Sequence, residues 1–379
     1  MIGRSDEQTA KKDLPVKSLL FGRSLTSWLF SLLLWALLGI LLAVGFNNAA
    51  AMVRYYPPVS LRYENAISGQ TAYNARVFSV ENSAEYPFWP TFWQEKTVAL
   101  ESELTEKSVD AIVYSGGADL VWPTEYIEGA APGVTDNKGC AISAALAWTL
   151  WGSMDVVGKI LKVDGEERIL RGVFPGEDEL ILLSYSDIDT TQNWANVELS
   201  AFSAGDIRSQ ATAYAQAAGL GQPSAVIMGS GPVFLAGVLS LLPLLAMGAF
   251  ALWLLISWLI TNYVRARKPL LFGLLIVAGL FLPALLTLLP SWLIPSQWSD
   301  FTFWSSLAKQ LAEQVREFLS ANPRIRDVEG KLLLLRQAVL AIAGLCCAFV
   351  VCFRWQHLQN KKASASTVQD ARIQGGKNG

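Results

Sequence analysis

Residues 139–174 read GCAISAALAWTLWGSMDVVGKILKVDGEERILRGVF, and how this stretch divides decides what kind of domain holds it. Ser143 is a favourable cap, because its hydroxyl accepts a hydrogen bond from a free first-turn amide, and Ala144–Trp151 after it is a short apolar helix. Gly152 then ends that helix in the left-handed conformation that other residues resist. Beyond it, KILKV and RILRGVF are rich in β-formers, and the Asp-Gly pair between them marks a tight turn. The predicted order is helix, tight connection, hairpin.

The connection GSMDVVGKI, 152–160, has to be tested as a phosphate-binding loop. That cradle needs Gly, four residues, Gly-Lys and then Ser or Thr: the backbone amides wrap the phosphate oxygens and the hydroxyl holds magnesium. Here five residues separate Gly152 from Gly158, and Ile160 follows Lys159 where the hydroxyl should be. The spacing argues against nucleotide binding, and so does the side of the membrane on which the stretch is expected to lie.

Of the 379 residues 52% are hydrophobic, and they are gathered in blocks. No charge occurs from Ser24 to Val53, from Ser209 to Val264 or from Pro269 to Ser299. An uncharged helix of about 20 residues covers the hydrocarbon core of a bilayer, so each block has room for a span. The apolar runs are Leu25–Phe46, Val233–Ile260 and Leu270–Leu293. A fourth, Leu332–Phe353, carries Arg336 near one end, where a long side chain can reach the interface. The expected fold class is an α-helical membrane protein with four transmembrane helices and an α+β extracytoplasmic domain between the first and second. The first run follows 24 residues rich in Lys and Arg and lacks a clear small-x-small site, so it is expected to stay as an anchor rather than be cleaved.

Charge near the spans sets the orientation, since Lys and Arg remain in the cytoplasm. Residues 1–24 carry five basic side chains, NYVRARK at 262–268 carries three and no acid, and the tail from Arg354 carries five against one acid. Segment 47–224 has 11 basic and 23 acidic residues and belongs outside. The predicted organisation is a cytoplasmic segment 1–24, a first helix 25–46, and an extracytoplasmic domain 47–224. A stalk and second helix 225–261 and a cytoplasmic loop 262–269 come next. A third helix 270–293, an outer amphipathic helix 294–331, a fourth helix 332–353 and a cytoplasmic tail 354–379 complete it. The protein is expected to cross the plasma or inner membrane several times, with both termini in the cytoplasm. GSMDVVGKI then lies outside, where a cell keeps little ATP.

Within the outer domain ARVFSVEN, KTVALESEL and VDAIVYSGG read as further strands. The helix, the step D-V-V-G-K and the R-G-V-F strand together resemble the core domain of MacB-like permeases, relatives of the FtsX-like ABC transporter family. WPTEYIEGAAPGVTDNKGCAIS, Trp122–Ser143, is similar to the segment that precedes this helix in that family. The plan of one span, a large outer domain and three spans resembles the family as well. AEYPFWPTFWQEK and the chain from Ser184 to Gly221 depart from its pattern. The resemblance implies that Gly152, Asp155, Gly158, Lys159 and Gly172 are structural. It further implies a permease subunit driven by a separate ABC ATPase, working as a homodimer or with a related permease, with ATP used only by the partner and no cofactor held by this chain. The inner loop Asn262–Pro269, with Tyr263, Arg265, Arg267 and Lys268, together with the entry segment Pro15–Ser24, is then the expected contact to the ATPase; positive charge in the loop also has a simpler role in fixing topology.

Several chemistries are excluded or weakened. The single histidine is His357, in the tail, which removes Ser-His-Asp and Cys-His hydrolases and histidine metal sites from the outer domain. Cys140 stands alone outside, and Cys346, Cys347 and Cys352 fall in the last span, so no disulfide framework is available to the domain. DGEE at 164–167 and GEDE at 176–179 sit at turns and read as solvated charge rather than as a Ca²⁺ or acid-base site. YPFWPTFW at 86–93 reads as core packing or a membrane-proximal belt, or else as a partner-binding face. Nothing supports nucleic-acid binding, with 30 basic against 32 acidic residues. Pro243 is a candidate kink in the second span. Trp304, Leu307, Leu311, Val315 and Phe318 recur at helical spacing, with Ser299 as a candidate cap, so this outer helix is expected to be amphipathic and either to lie on the lipid or to pack on the outer domain. The tail beyond His357 reads as disordered. The alternative function is a non-transport membrane receptor or scaffold whose outer domain binds a ligand, with no ATPase involved.

Overall fold

Among the described residues of the computed structural model, three helices are long and apolar enough to cross a membrane, over Trp28–Tyr55, Ser230–Ser257 and Ile325–His357. The structure describes residues 16–56, 59–102, 105–200, 206–261 and 302–375. The predicted third span, Leu270–Leu293, and the cytoplasmic loop 262–269 lie outside the described residues, as does Ser299.

The chain divides into two compact units, Met1–Asn47 with Leu239–Leu270 and Ala338–Gly379, and Asn48–Val238 with Leu271–Gln337. In the first, the long helices α1 (Val16–Tyr55), α6 (Ser230–Thr261) and α8 (Ile325–Gly375) contribute their apolar segments. Leu34 and Leu38 of α1 pack with Cys347, Ala348 and Val351 of α8, and Met247 of α6 leans on this cluster. Pro243 lies inside α6, and a Cβ on Gly344 would come within 2.7 Å of its ring, so glycine is what lets the two helices approach there. Trp28, Leu33, Phe349 and Phe353 remain exposed, as side chains facing lipid require.

The second unit is built on a ten-stranded sheet. Its elements are β1 (Val59–Ser68), α2 (Gly69–Glu81), β2 (Trp89–Glu101), β3 (Glu106–Ser115), α3 (Ala118–Val121), β4 (Glu128–Gly129) and β5 (Gly139–Ser143). After these come α4 (Ala144–Trp151), β6 (Ile160–Val163), β7 (Glu166–Phe174), β8 (Leu180–Ser184), β9 (Asn193–Ser200), α5 (Ile207–Ala217) and β10 (Ala225–Met228). α7 (Phe303–Ser320) precedes the last helix. The strand order is β10-β1-β9-β2-β3-β8-β5-β7-β4, and β6 pairs with both β7 and β2. The pairing β2-β3-β8-β5-β7-β6-β2 therefore closes on itself. One side of the sheet carries a core of Leu61, Phe92, Val197, Leu199, Tyr214 and their neighbours under α2, α4 and α5. The other side carries Trp93, Ile112, Tyr114, Phe174 and Leu182, against which Ile325 at the start of α8 packs.

The structure corrects several expectations. ARVFSVEN is not a strand but the end of α2, capped by Ser68, whose hydroxyl accepts from the Thr71 amide at 3.1 Å. The valines that suggested a strand, Val77 and Val80, are exposed, while Ala72, Ala75 and Ser79 at helical spacing are buried. Residues 225–228, expected as stalk, form β10 on the sheet edge, antiparallel to β1. α1, which contains the expected first span, runs on to Tyr55, and α8, which contains the expected fourth span, begins at Ile325; the tail backbone is helical to Gly375 rather than disordered. Phe88, Phe92 and Trp93 of the aromatic run are core residues, and Trp89 is exposed.

Candidate functional site

Alternation along β1 places Val59, Leu61 and Tyr63 in one core and sends Ser60 and Arg62 to the opposite face. Register carries that face across the neighbouring strands. Ser60 lies opposite Glu198 of β9, Arg62 opposite Asn196, and Asn196 opposite Trp93 of β2. Five side chains with polar atoms, Ser60, Arg62, Glu198, Asn196 and Trp93, thus project from three adjacent strands to one side, and all are buried.

The first turn of α8 closes over them. One Glu198 oxygen, Oε1, accepts from Ser60 Oγ at 2.8 Å and from Trp93 Nε1 at 2.8 Å. The same oxygen meets Arg326 Nη1 at 2.7 Å and Arg62 Nη2 at 3.8 Å. Arg62 Nη2 donates to Asp327 Oδ1 at 2.9 Å, and its guanidinium lies over the Trp93 ring at 4.9 Å. Side-chain exposures of Arg62, Glu198, Asp327 and Arg326 are 10%, 0%, 7% and 3%, so this is a desolvated two-plus, two-minus cluster. Charges taken this far from water are tolerated only when paired and hydrogen-bonded. Burial pulls the Arg62 guanidinium down from its ordinary value, and Glu198 and Asp327 act in the opposite sense.

Further bonds seat the helix start. Tyr55, at the end of α1, donates its hydroxyl to the Arg326 carbonyl at 2.7 Å, and Arg326 Nη2 returns a bond to the Tyr55 carbonyl at 3.1 Å. Glu95 of β2 accepts from the Ile325 amide, one of the unpaired donors of the first turn. Burial raises the Glu95 pKa, and the Ile325 amide and Arg324 oppose the shift. Farther along, Asn48 donates to Gln337 Oε1 at 2.9 Å and to the Leu333 carbonyl at 3.1 Å, tying α1 to α8. The arrangement binds the ends of two membrane helices to three strands of the sheet. It contains no nucleophile–base pair.

The sequence-derived positions fall elsewhere. Ser143 Oγ accepts from the Leu146 and Leu180 amides, and Gly152 closes α4 at φ +64°. Gly158 has φ +87° and donates to the Leu170 carbonyl at 2.7 Å, while Lys159 Nζ lies 5.5 Å from the Trp151 ring centre. The Asp155 amide binds Ser153 Oγ at 3.1 Å. A Cβ on Gly172 would stand 2.6 Å from the Ala130 carbonyl oxygen. These residues form the tight connection and hairpin of one region, apart from the Arg62 cluster. Tyr263, Arg265, Arg267 and Lys268 lie outside the described residues. Cys140 is buried and its thiol is pushed up to about 12. Among the described residues no group of three or more His, Cys, Asp and Glu side chains is placed to hold a metal.

No family model and no curated protein matches the chain. Solved structures similar to it include the extracellular domain of the noncanonic ABC-type transporter YknZ from Gram-positive bacteria, at 14% identity and TM-score 0.36, over 44% of this chain and 96% of that one. The periplasmic region of MacB from Actinobacillus actinomycetemcomitans is similar at 9% identity and TM-score 0.37, over 45% and 88%. A domain of a protein assigned as a permease from Porphyromonas gingivalis follows at 17% identity and TM-score 0.32, over 43% and 83%.

Proposed function

We propose that this membrane protein is the permease-type subunit of an ABC transporter, passing motion driven by a separate ATPase to an extracytoplasmic α+β domain for export or for activation of a partner. In this reading it works as a homodimer or with a related permease, spans the plasma or inner membrane four times, and keeps both termini and the loop 262–269 in the cytoplasm. ATP is used on the partner, and this chain carries no catalytic residue and no cofactor.

The observation that supports this most is the buried cluster of Arg62, Glu198, Arg326 and Asp327. A displacement of α8 along or across its axis cannot be absorbed at that point without separating desolvated charges, so the sheet must follow. A ligand-binding receptor has no need to join helix and sheet so stiffly. The resemblance of Trp122–Phe174 to MacB-like permeases, described above, points the same way.

Co-purification is the test. Mild extraction of the tagged full chain from its native membrane should bring down a P-loop ATPase, whose turnover changes when the pair is reconstituted. Recovery of the folded chain with no ATPase, under conditions that preserve other transporter complexes, would sink the permease reading and leave the receptor or scaffold.

A further inference from the structure

β1 loses its neighbours part of the way along. Its pairing with β10 ends at Arg62, opposite Ala225, and its pairing with β9 stops at Arg62 and resumes at Ile67, five steps of β1 against two of β9. The last bond before the chains part is double, for the Ser224 amide and hydroxyl both donate to the Arg62 carbonyl, at 2.8 and 2.9 Å. Tyr63, Glu64, Asn65 and Ala66 therefore have no strand beside them on either edge among the described residues. An insertion of this kind takes backbone donors and acceptors out of the ladder.

The strands part around a cavity of about 540 Å³, a size that ligand sites commonly have. One wall is the unpaired run, with Glu64, Asn65 and Ala66 exposed. The turn between α5 and β10 forms another, and a Cβ on Gly221 there would meet nothing within 4 Å, so bare backbone faces open space. Tyr63, which also lines the cavity, is 6% exposed, and its hydroxyl is buried with no hydrogen-bond partner among the described residues. Such a group costs free energy until something meets it. Glu64 alone of the lining side chains carries charge. All of these residues belong to the sheet unit.

We propose that this cavity takes an extended polypeptide segment of a second protein, which adds its backbone to β1 at 63–66 and sets a basic side chain against Glu64. The occupant is polypeptide because the walls offer unpaired strand backbone, and what matches a strand edge is another strand. It is basic because the one charge in the lining is a carboxylate. A second copy of this chain is a poorer match, since the end strands of its sheet, Ala225–Met228 and Glu128–Gly129, carry no basic residue. The proposal stands with or without an ATPase, so its failure leaves the permease reading untouched.

The probe is a phage-displayed library of random linear peptides, panned on the full chain in nanodiscs after binders to empty nanodiscs have been removed. Recovered peptides should carry Lys or Arg beside β-forming residues, and a synthetic copy should slow amide hydrogen exchange at Glu64, Asn65 and Ala66 severalfold. Methylating the backbone nitrogens of its central residues should abolish binding, because a strand held by its backbone needs those donors. Glu64→Lys should weaken binding about tenfold or more, since a like charge then faces the basic residue. Ala66→Trp, which fills the cavity, should remove it. Both positions are exposed, and thermal unfolding like that of the parent checks the fold; if tryptophan disturbs it, exchange at 64–66 in the parent decides. Recovery of no peptide that prefers the parent to Ala66→Trp overturns the proposal, as does tight binding that survives Glu64→Lys or backbone methylation. Slow exchange at 64–66 that rises with protein concentration and needs no peptide overturns it in favour of a second copy.

Discussion

Arg62 on β1 and Asp327 in the first turn of α8 are 265 positions apart in the chain and 2.9 Å apart in the structure, both withdrawn from water. That bond, with Glu198 and Arg326 beside it, joins three strands of the sheet to the first turn of α8.

Removing one charge from the cluster should therefore be costly. Glu198→Gln keeps the shape but leaves Arg62 and Arg326 against Asp327 alone, and a loss of about 3–5 kcal/mol is expected. Replacing the four together by apolar residues of similar volume should recover most of it. Thermal unfolding in nanodiscs, followed by tryptophan fluorescence, measures both. A Glu198→Gln protein as stable as the parent contradicts the assignment.

Asn48 and Gln337 form a smaller lock. Asn48→Leu leaves Oε1 of Gln337, a residue 0% exposed, without its donor and should cost about 1–3 kcal/mol. The double variant with Gln337→Leu should be milder than the single one, because no buried amide is left unpaired. Equal losses in single and double variants would show that the pair does not act as a unit.

Glu95 should leave a mark on the pH profile. Its folded pKa is raised by burial above the ordinary 4.5, so the folded form holds the proton more tightly than the unfolded chain. Its contribution is fully present below 4.5 and is lost as the pH rises through the folded-state value. Glu95→Gln removes this loss. Stability of the variant should rise more, or fall less, than that of the parent between pH 4.5 and neutrality, and parallel profiles would show that Glu95 is not the group responsible.

Two glycines of the hairpin region should respond differently. Gly172→Ala forces a methyl onto the Ala130 carbonyl and should cost about 1–3 kcal/mol. At Gly152 the space is open but φ is +64°, so alanine should cost only about 1 kcal/mol of backbone strain and asparagine less. Urea titration of the wild type and the three variants gives the order, and a harmless Gly172→Ala would contradict the close approach.

Orientation and coupling can be read together. A cysteine at Asp119 should react with an impermeant reagent added outside, and one at Arg265 should not. With orientation confirmed, replacing Arg265, Arg267 and Lys268 by Glu should weaken ATPase recovery and uncouple turnover, whereas each single change is mild because a rim charge contributes little. Normal recovery and coupling in the triple variant would make the loop a topology signal only.

Three of the four expected apolar helices were legible because a bilayer demands a local property, some twenty uncharged residues in a row, and Ala144–Trp151 was legible because Ser143 and Gly152 mark its two ends within nine residues of each other. The Asp164–Gly165 turn carries the same kind of local mark, with positive φ at both residues. α2 was misread because Val77 and Val80 favour strands, whereas burial of Ala72, Ala75 and Ser79 decided for a helix. Nothing local marks the junction. Arg62 alternates with Leu61, and Glu198 with Val197 and Leu199, so each strand reads as half core and half solvent face. That polar face became an interior only when the first turn of α8 brought Arg326 and Asp327 onto it. Charge pairing acts through space at a few ångströms, and which charges meet depends on strand order and helix placement, which no stretch of chain carries alone.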